Sequence, residues 1–123
     1  MQEGNTFLFP NAEDDHLWMI ISDPAKDSKN VVILRFLSYQ DYQEQTCIVE
    51  SGDHPFVRHK TCVDYAAAML VADSKLEELK LSGRLKLKAN LSPRILASIR
   101  EAVPRSRIPL ECEKALEDQG LLE

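Results

Sequence analysis

Hydrophobic residues follow two different spacings along the chain. Up to about residue 72, short apolar runs alternate with polar, turn-forming segments, which is the pattern of a sheet built from short strands. The run HLWMIIS at 16–22 is apolar on both faces, as in a central strand that is covered on both sides. The segment AAAMLV at 66–71 is compatible with a strand and with a helix. We expect strands in the segments 7–10, 16–22, 31–39, 46–51, 54–57 and 61–71.

Helical spacing dominates the second part of the chain. Short helices are predicted for 73–81 and 109–120, and the strict alternation of RLKLKA at 84–89 predicts a half-exposed strand. The clearest helix signature spans 92–103, where Ser92 stands at the N-cap position and is followed by proline and by one apolar stripe. This order of elements favours an α+β fold, namely a small β-barrel of five or six strands with two or three short helices laid on it.

Composition indicates one globular domain over residues 1–123. Of the 123 residues, 44% are hydrophobic and 28% are charged, which is ordinary for such a domain. The longest apolar run, Tyr65 to Ala72, is too short to cross a bilayer, and residues 1–15 lack the features of a secretory signal. We therefore expect a cytoplasmic protein that makes no use of a membrane.

The three cysteines, Cys47, Cys62 and Cys112, form neither a paired framework nor a CxxC motif. Reduced, buried thiols that act as small apolar residues are the expected state. A zinc site that joins Cys47 or Cys62 to a histidine stays open as an alternative, although the spacing does not require it.

Charge is distributed unevenly in this chain of net charge −5. The first 53 residues carry ten acidic and three basic residues, whereas the segment 84–107 carries seven basic residues and only Glu101 as an acid. Such a segment can form a local positive face for a polyanion, or it can simply be a solvated surface. Both interpretations are open.

Candidate chemistry lies in polar residues at the ends of the predicted strands. The motifs GxSxG, HExxH, GxGxxG and the Walker loop are absent from the sequence, which removes support for acyl transfer, zinc proteolysis and nucleotide-driven reactions. Several polar residues instead crowd into GDHPFVRHKTCVDY at 52–65. The full set is His16, Arg35, Ser38, His54, Arg58, His59, Lys60, Thr61 and Asp64.

The order of these segments resembles the PemK/MazF-like toxin family, the SH3-like barrels of bacterial toxin–antitoxin pairs. FLFP, HLWMIIS and VVILRFLS would be the first three strands, CIVESGDHPFV would hold the family's "PF" strand, and KTCVDYA its Asp/Ser–x–Val strand. LSPRILASIREAV matches the closing helix. The resemblance covers most of residues 5–103 and implies an SH3-like barrel, with a C-terminal helical extension from about residue 104.

The resemblance also implies sequence-selective cleavage of single-stranded RNA without a metal or another cofactor, by a homodimer whose grooves an antitoxin protein can fill. His16 falls where the family has its catalytic arginine, and it would exchange protons with the substrate together with His54. Ser38 and Thr61 fall on the family's polar strand positions and would orient the phosphate. The predicted RNA-binding residues are Arg35, Arg58, Lys60, Arg84, Lys86 and Lys88.

Other interpretations remain beside the enzyme. Because the family arginine is missing, a non-catalytic SH3-like binding module for nucleic acid or a peptide is an alternative. A structural or regulatory protein of a mobile genetic element is a third. In a purely structural interpretation of 52–65, Gly52 and Asp53 form a hairpin turn, His54 starts a strand, and Asp64 pairs with a base of the loop 58–60.

Overall fold

Six antiparallel strands curl into a half-barrel that carries three helices, in a computed structural model that describes residues 1–10, 16–27 and 29–122. The sheet order is β4-β5-β3-β2-β1-β6. The predicted α+β fold is confirmed. The strands are β1 (Thr6–Leu8), β2 (Trp18–Ile20), β3 (Asn30–Ser38), β4 (Ile48–Val49), β5 (Thr61–Ala72) and β6 (Lys86–Lys88). The helices are α1 (Asp73–Leu81), α2 (Pro93–Ala102) and α3 (Leu110–Asp118), with a 3₁₀ turn at Val103–Arg105.

Strands β2 and β3 are buried on both faces, as the apolar run at 16–22 predicts. Met19 and Leu34 point into the main core, which also contains the apolar faces of α2 and α3. The alternate residues Ile20 and Ile33 point into a smaller core under Leu76 of α1. Successive side chains of a strand point to opposite faces, so two covered faces require a continuous apolar run.

The pairing of β3 with β5 contains an irregularity that bends the sheet. Ile33 pairs with Met69, but Arg35, two positions later, pairs with Asp64, so the segment 65–68 of β5 lies opposite a single residue of β3. Extra residues on one strand increase its local twist and bend it. This explains why AAAMLV is part of a strand that curls, and the helical alternative for that segment is wrong.

Tyr65, the first residue of the bent segment, ties the sheet to α2. Its hydroxyl donates a hydrogen bond of 2.7 Å to the backbone oxygen of Ile99, and both side chains are fully buried. Burial raises the pKa of Tyr65, so the phenol keeps the proton that it donates. Ser92 caps α2 as predicted, because its hydroxyl oxygen accepts a hydrogen bond from the backbone N–H of Ile95.

The predicted strand at 54–57 is wrong, because this segment forms turns. The backbone N–H of Val57 donates to the oxygen of His54, and that of Gly52 donates to the oxygen of Val57. Pro55 has no N–H to contribute to a strand pair. Gly52 has a φ of 94°, a left-handed conformation that suits glycine and starts the turn.

The C-terminal helix α3 belongs to the main core. Cys112 and Leu116 are fully buried there, whereas Leu110 at the start of the same helix is 78% exposed. No helix among the described residues combines the length and apolar character that a membrane crossing needs.

We predict that Leu116→Ala lowers the free energy of unfolding by about 2–5 kcal/mol, because it leaves a cavity in the main core. The matched control Leu110→Ala in the same helix should stay within about 0.5 kcal/mol of the parent. Denaturant unfolding is followed by circular dichroism and by the fluorescence of Trp18, the single tryptophan of the chain. Equal costs for the two variants, or a separate transition for α3, would contradict a shared core.

Candidate functional site

A small cleft lies where the β3–β5 pair ends. Ser38 and Thr61 are direct partners in the register of the two strands, so their side chains meet at the same edge. His16 enters from the segment before β2, and His59 from the loop before β5. We call this cleft of about 90 Å³ the histidine cleft and define it by His16, Ser38, His59 and Thr61.

Hydrogen bonds hold His59 in the cleft. The Nε2 atom of its ring lies 2.8 Å from the Ser38 hydroxyl oxygen. The Thr61 hydroxyl donates to the backbone oxygen of His59 over 2.9 Å, and Thr61 is only 6% exposed. Thr61 therefore positions the histidine backbone, while the exposed ring of His59 and the Ser38 hydroxyl form a polar pair that a ligand can reach.

His54 lies outside the histidine cleft and is only 2% exposed. The backbone N–H of Phe56 donates to its Nδ1 atom over 3.0 Å, so Nδ1 is the acceptor and Nε2 carries a hydrogen. Nε2 lies 2.5 Å from the backbone oxygen of Ala89, directly after β6, and 3.4 Å from the hydroxyl of Thr6. With both ring nitrogens engaged, His54 connects the loop after β4 to β1 and β6.

A second cleft, of about 360 Å³, shares Phe56 with the histidine cleft. We call it the Phe56 cleft. The phenyl ring is 42% exposed, and the residue lines the histidine cleft as well. Two of the predicted RNA-binding residues, Arg58 and Lys88, are found here. The lining residues are His54, Pro55, Phe56, Arg58, Lys88 and Ala89.

Arg35 lies in neither cleft. Its guanidinium forms a 2.9 Å ion pair with Asp64 and lies 5.7 Å from the centre of the Trp18 ring. The structural interpretation expected Asp64 to pair with a base of the loop 58–60. This expectation is wrong, because Asp64 pairs with Arg35 on the neighbouring strand. Arg35 is next to Phe36 in β3, and Phe36 points into the main core. Because side chains alternate along a strand, Arg35 faces the opposite side of the sheet.

The remaining predicted RNA-binding residues lie outside the two clefts. Lys60 stacks its ammonium over the Tyr39 ring at 4.1 Å. Arg84 and Lys86 are exposed before and in β6, an edge strand. Their contact with RNA stays a prediction.

Asp53 fixes the loop that forms the Phe56 cleft. One carboxylate oxygen accepts a 2.9 Å hydrogen bond from the backbone N–H of Glu50, and the other lies 3.1 Å from the guanidinium of Arg94 in α2. The hydrogen bond from Glu50 lowers the pKa of Asp53 against the opposing effect of burial, and the hydrogen bond and charge of Arg94 lower it further. The carboxylate stays charged, and the loop stays attached to α2.

His59 is absent from the predicted catalytic set and Phe56 from the predicted RNA-binding set, although both residues line the clefts. Both residues belong to the loop 50–60, whose turns follow no period. The sequence did contain a signal for His59, which precedes Thr61 by two residues. Because Thr61 pairs with Ser38 at the end of the two strands, a residue just before Thr61 lies close to that end.

The three cysteines are free and buried. Burial raises the pKa of all three thiols, that of Cys112 to about 11. Within residues 1–10, 16–27 and 29–122, no three His, Cys, Asp or Glu side chains are grouped so that they could hold a metal ion. The described part of the chain therefore offers no ligand set for the zinc alternative.

No protein-family model and no curated protein sequence matches this chain. A solved structure described as an endoribonuclease in complex with its cognate antitoxin from mycobacterial species is similar in fold, with a TM-score of 0.58 and 14% sequence identity. The match covers 85% of this chain and 92% of the other. The match shows that this chain shares its fold with that endoribonuclease, as the resemblance stated in the sequence analysis predicts.

We predict different costs for the loss of the two loop histidines. His54→Ala should lower the free energy of unfolding by about 1–3 kcal/mol, because the N–H of Phe56 loses its acceptor in a buried place. His59→Ala should stay within about 0.5 kcal/mol of the parent, since its ring is exposed. Denaturant unfolding of both variants checks this, and similar costs would refute the structural role given to His54.

Proposed function

We propose that this protein is a toxin-like endoribonuclease that cleaves single-stranded RNA without a metal ion, as one component of a type II toxin–antitoxin system. The observation that carries the proposal is the histidine cleft, which gathers two imidazoles and two hydroxyls on one surface. The similarity in fold to an endoribonuclease supports it.

The reaction that suits these groups uses the RNA as its own nucleophile. A base removes the proton of the ribose 2′-hydroxyl, whose oxygen attacks the adjacent phosphorus. The bond from phosphorus to the 5′-oxygen breaks, and an acid gives that oxygen a proton. The products are a 2′,3′-cyclic phosphate and a 5′-hydroxyl. Each proton-transfer group contributes about 10²–10⁴-fold to the rate.

His16 and His59 take the roles of base and acid. His59 replaces His54 in this pair, because both ring nitrogens of His54 already have partners in the protein. Ser38 orients the His59 ring through the 2.8 Å hydrogen bond. Arg58 and Lys60 flank His59 in the sequence and add positive charge next to the histidine cleft, which favours the approach of a phosphate. Arg58 itself lines the Phe56 cleft, and Lys60 lies outside both clefts.

The proposal includes an antitoxin protein partner, because the similar structure is described as a complex with a cognate antitoxin. It also includes a homodimer in the cytoplasm, as the resemblance to PemK/MazF-like toxins implies. The uneven distribution of charge, with a basic segment 84–107 in an acidic chain, suits an RNA substrate.

A non-catalytic binding module is the second candidate. Two observations favour it: His16 stands where the resembling family has an arginine, and the nearby Arg35 is paired with Asp64 away from the cleft. Such a module would keep the groove and bind nucleic acid or a peptide without cleaving it.

We expect the parent protein to cleave a mixed single-stranded RNA pool in the presence of a chelator. His16→Ala and His59→Ala should each reduce the rate about 10²–10⁴-fold, and His59→Gln should not restore it, because an amide does not transfer protons at neutral pH. Lys114→Ala, an exposed change in α3, is the control with unchanged activity. Product analysis should find the cyclic phosphate. A fully active His16→Ala variant would remove His16 from the mechanism.

Salt dependence separates the second candidate from the first. If the parent cleaves no RNA but binds it with an affinity that falls steeply as salt increases, the protein is a nucleic-acid-binding module, because each phosphate contact releases counterions. Fluorescence anisotropy over about 50–200 mM salt measures this. An affinity that does not change with salt indicates a peptide partner instead.

A further inference from the structure

Phe56 is an aromatic side chain that the fold leaves accessible between two clefts. The ring is 42% exposed, and it contacts no other aromatic ring of the described residues. Turn hydrogen bonds on both sides, at Val57 and at the ring of His54, hold its backbone in place. An exposed phenyl ring on a fixed backbone offers a flat apolar face at low entropic cost.

Two positive charges from different elements line the same cleft. Arg58 belongs to the loop before β5, and Lys88 ends β6. Neither side chain forms an ion pair with a carboxylate of the described residues, so both charges remain available to a ligand. A cationic pair beside an aromatic face is the combination with which proteins bind single-stranded nucleic acids.

The walls of the cleft are held together before any ligand binds. His54 joins the loop to the backbone of Ala89, and the hydroxyl of Thr6 donates to the same oxygen over 2.6 Å. The volume of about 360 Å³ lies in the range of small-molecule sites, roughly 300–1,000 Å³. A cleft whose opposite sides are connected in this way needs little rearrangement to accept a ligand.

We infer that the Phe56 cleft binds one nucleotide of the RNA next to the cleaved bond, with its base stacked on Phe56 and its phosphate held by Arg58 and Lys88. This inference rests on the proposed function for the identity of the ligand. Because Phe56 lines both clefts, a strand that places its reacting phosphate in the histidine cleft passes its neighbouring nucleotide over the phenyl ring. Phe56 is then a binding residue that contributes to substrate selection, and the two histidines perform the chemistry.

The test measures binding without cleavage. Short 2′-fluoro RNA oligonucleotides lack the nucleophilic hydroxyl, so their affinity for the full chain is independent of catalysis. Phe56→Ala should weaken binding about 5- to 150-fold, the range expected for one stacked base. Tyr42→Ala is the matched control with unchanged affinity, because Tyr42 is 82% exposed and lines neither cleft. Phe56→Trp should keep or increase the affinity.

An abasic scan identifies the stacked base. Removing the base at one position should cost the parent as much affinity as Phe56→Ala does, and the same removal should cost the Phe56→Ala protein almost nothing. Arg58→Ala and Lys88→Ala should each reduce the slope of log affinity against log salt by about 1.

The outcomes distinguish this inference from the proposed function. If Phe56→Ala weakens all abasic oligonucleotides as much as the intact one, no base stacks on Phe56 and the inference is wrong. It is also wrong if the parent binds no oligonucleotide, or if only an acidic peptide binds and depends on Phe56. If removing one base and removing the Phe56 ring have the same, non-additive effect on affinity but natural RNA is not cleaved, the nucleotide site stands and the nuclease proposal fails.

Discussion

The pairing of β3 with β5 is the constraint on which the rest of the molecule depends. Its register sets Ser38 opposite Thr61, and its irregularity after Ile33 bends β5 so that the sheet curls around the main core. Tyr65 begins the bent segment and binds the backbone of α2, which makes the curvature and the helix packing part of one arrangement. If β5 slipped by one residue along β3, Thr61 would turn to the opposite face of the sheet and would no longer meet Ser38.

The loop between β4 and β5 completes what the short strands leave open. Since β4 and β6 are the two edges of the sheet, a loop that leaves β4 and contacts Ala89 after β6 joins the edges of the half-barrel. His54 makes this contact, and Asp53 adds a second one to α2 through Arg94. The stretch 52–65 therefore combines structural residues with residues that face the clefts, and neither of the two initial interpretations of it is complete.

The spacing of hydrophobic residues predicted α2, which has one apolar and one polar face. It also predicted β2 and β3, which are buried on both faces. It failed at 54–57, because the hydrogen bond to the His54 ring and Pro55 decide the backbone conformation there. His16, Ser38 and Thr61 share a cleft because strand ends meet at one edge, which sequence order can indicate. Simple alternation from Phe36 would have placed Arg35 on the far face. The positions of His59 and Phe56 at the clefts could not be predicted in this way, because the turns of this loop depend on contacts with residues distant in the sequence.

An acidic protein can bind RNA when its positive groups are local and its negative groups are already paired. Asp53 and Asp64 each face an arginine, whereas Arg58 and Lys88 have no acidic partner among the described residues. The Phe56 cleft therefore carries local positive charge in a chain whose net charge is −5. At 14% identity a shared fold does not determine function, so the evidence for function must come from these side chains. Phe56 lines both clefts, and in the proposed function it links the histidines that would transfer protons to the cationic pair that would hold a phosphate.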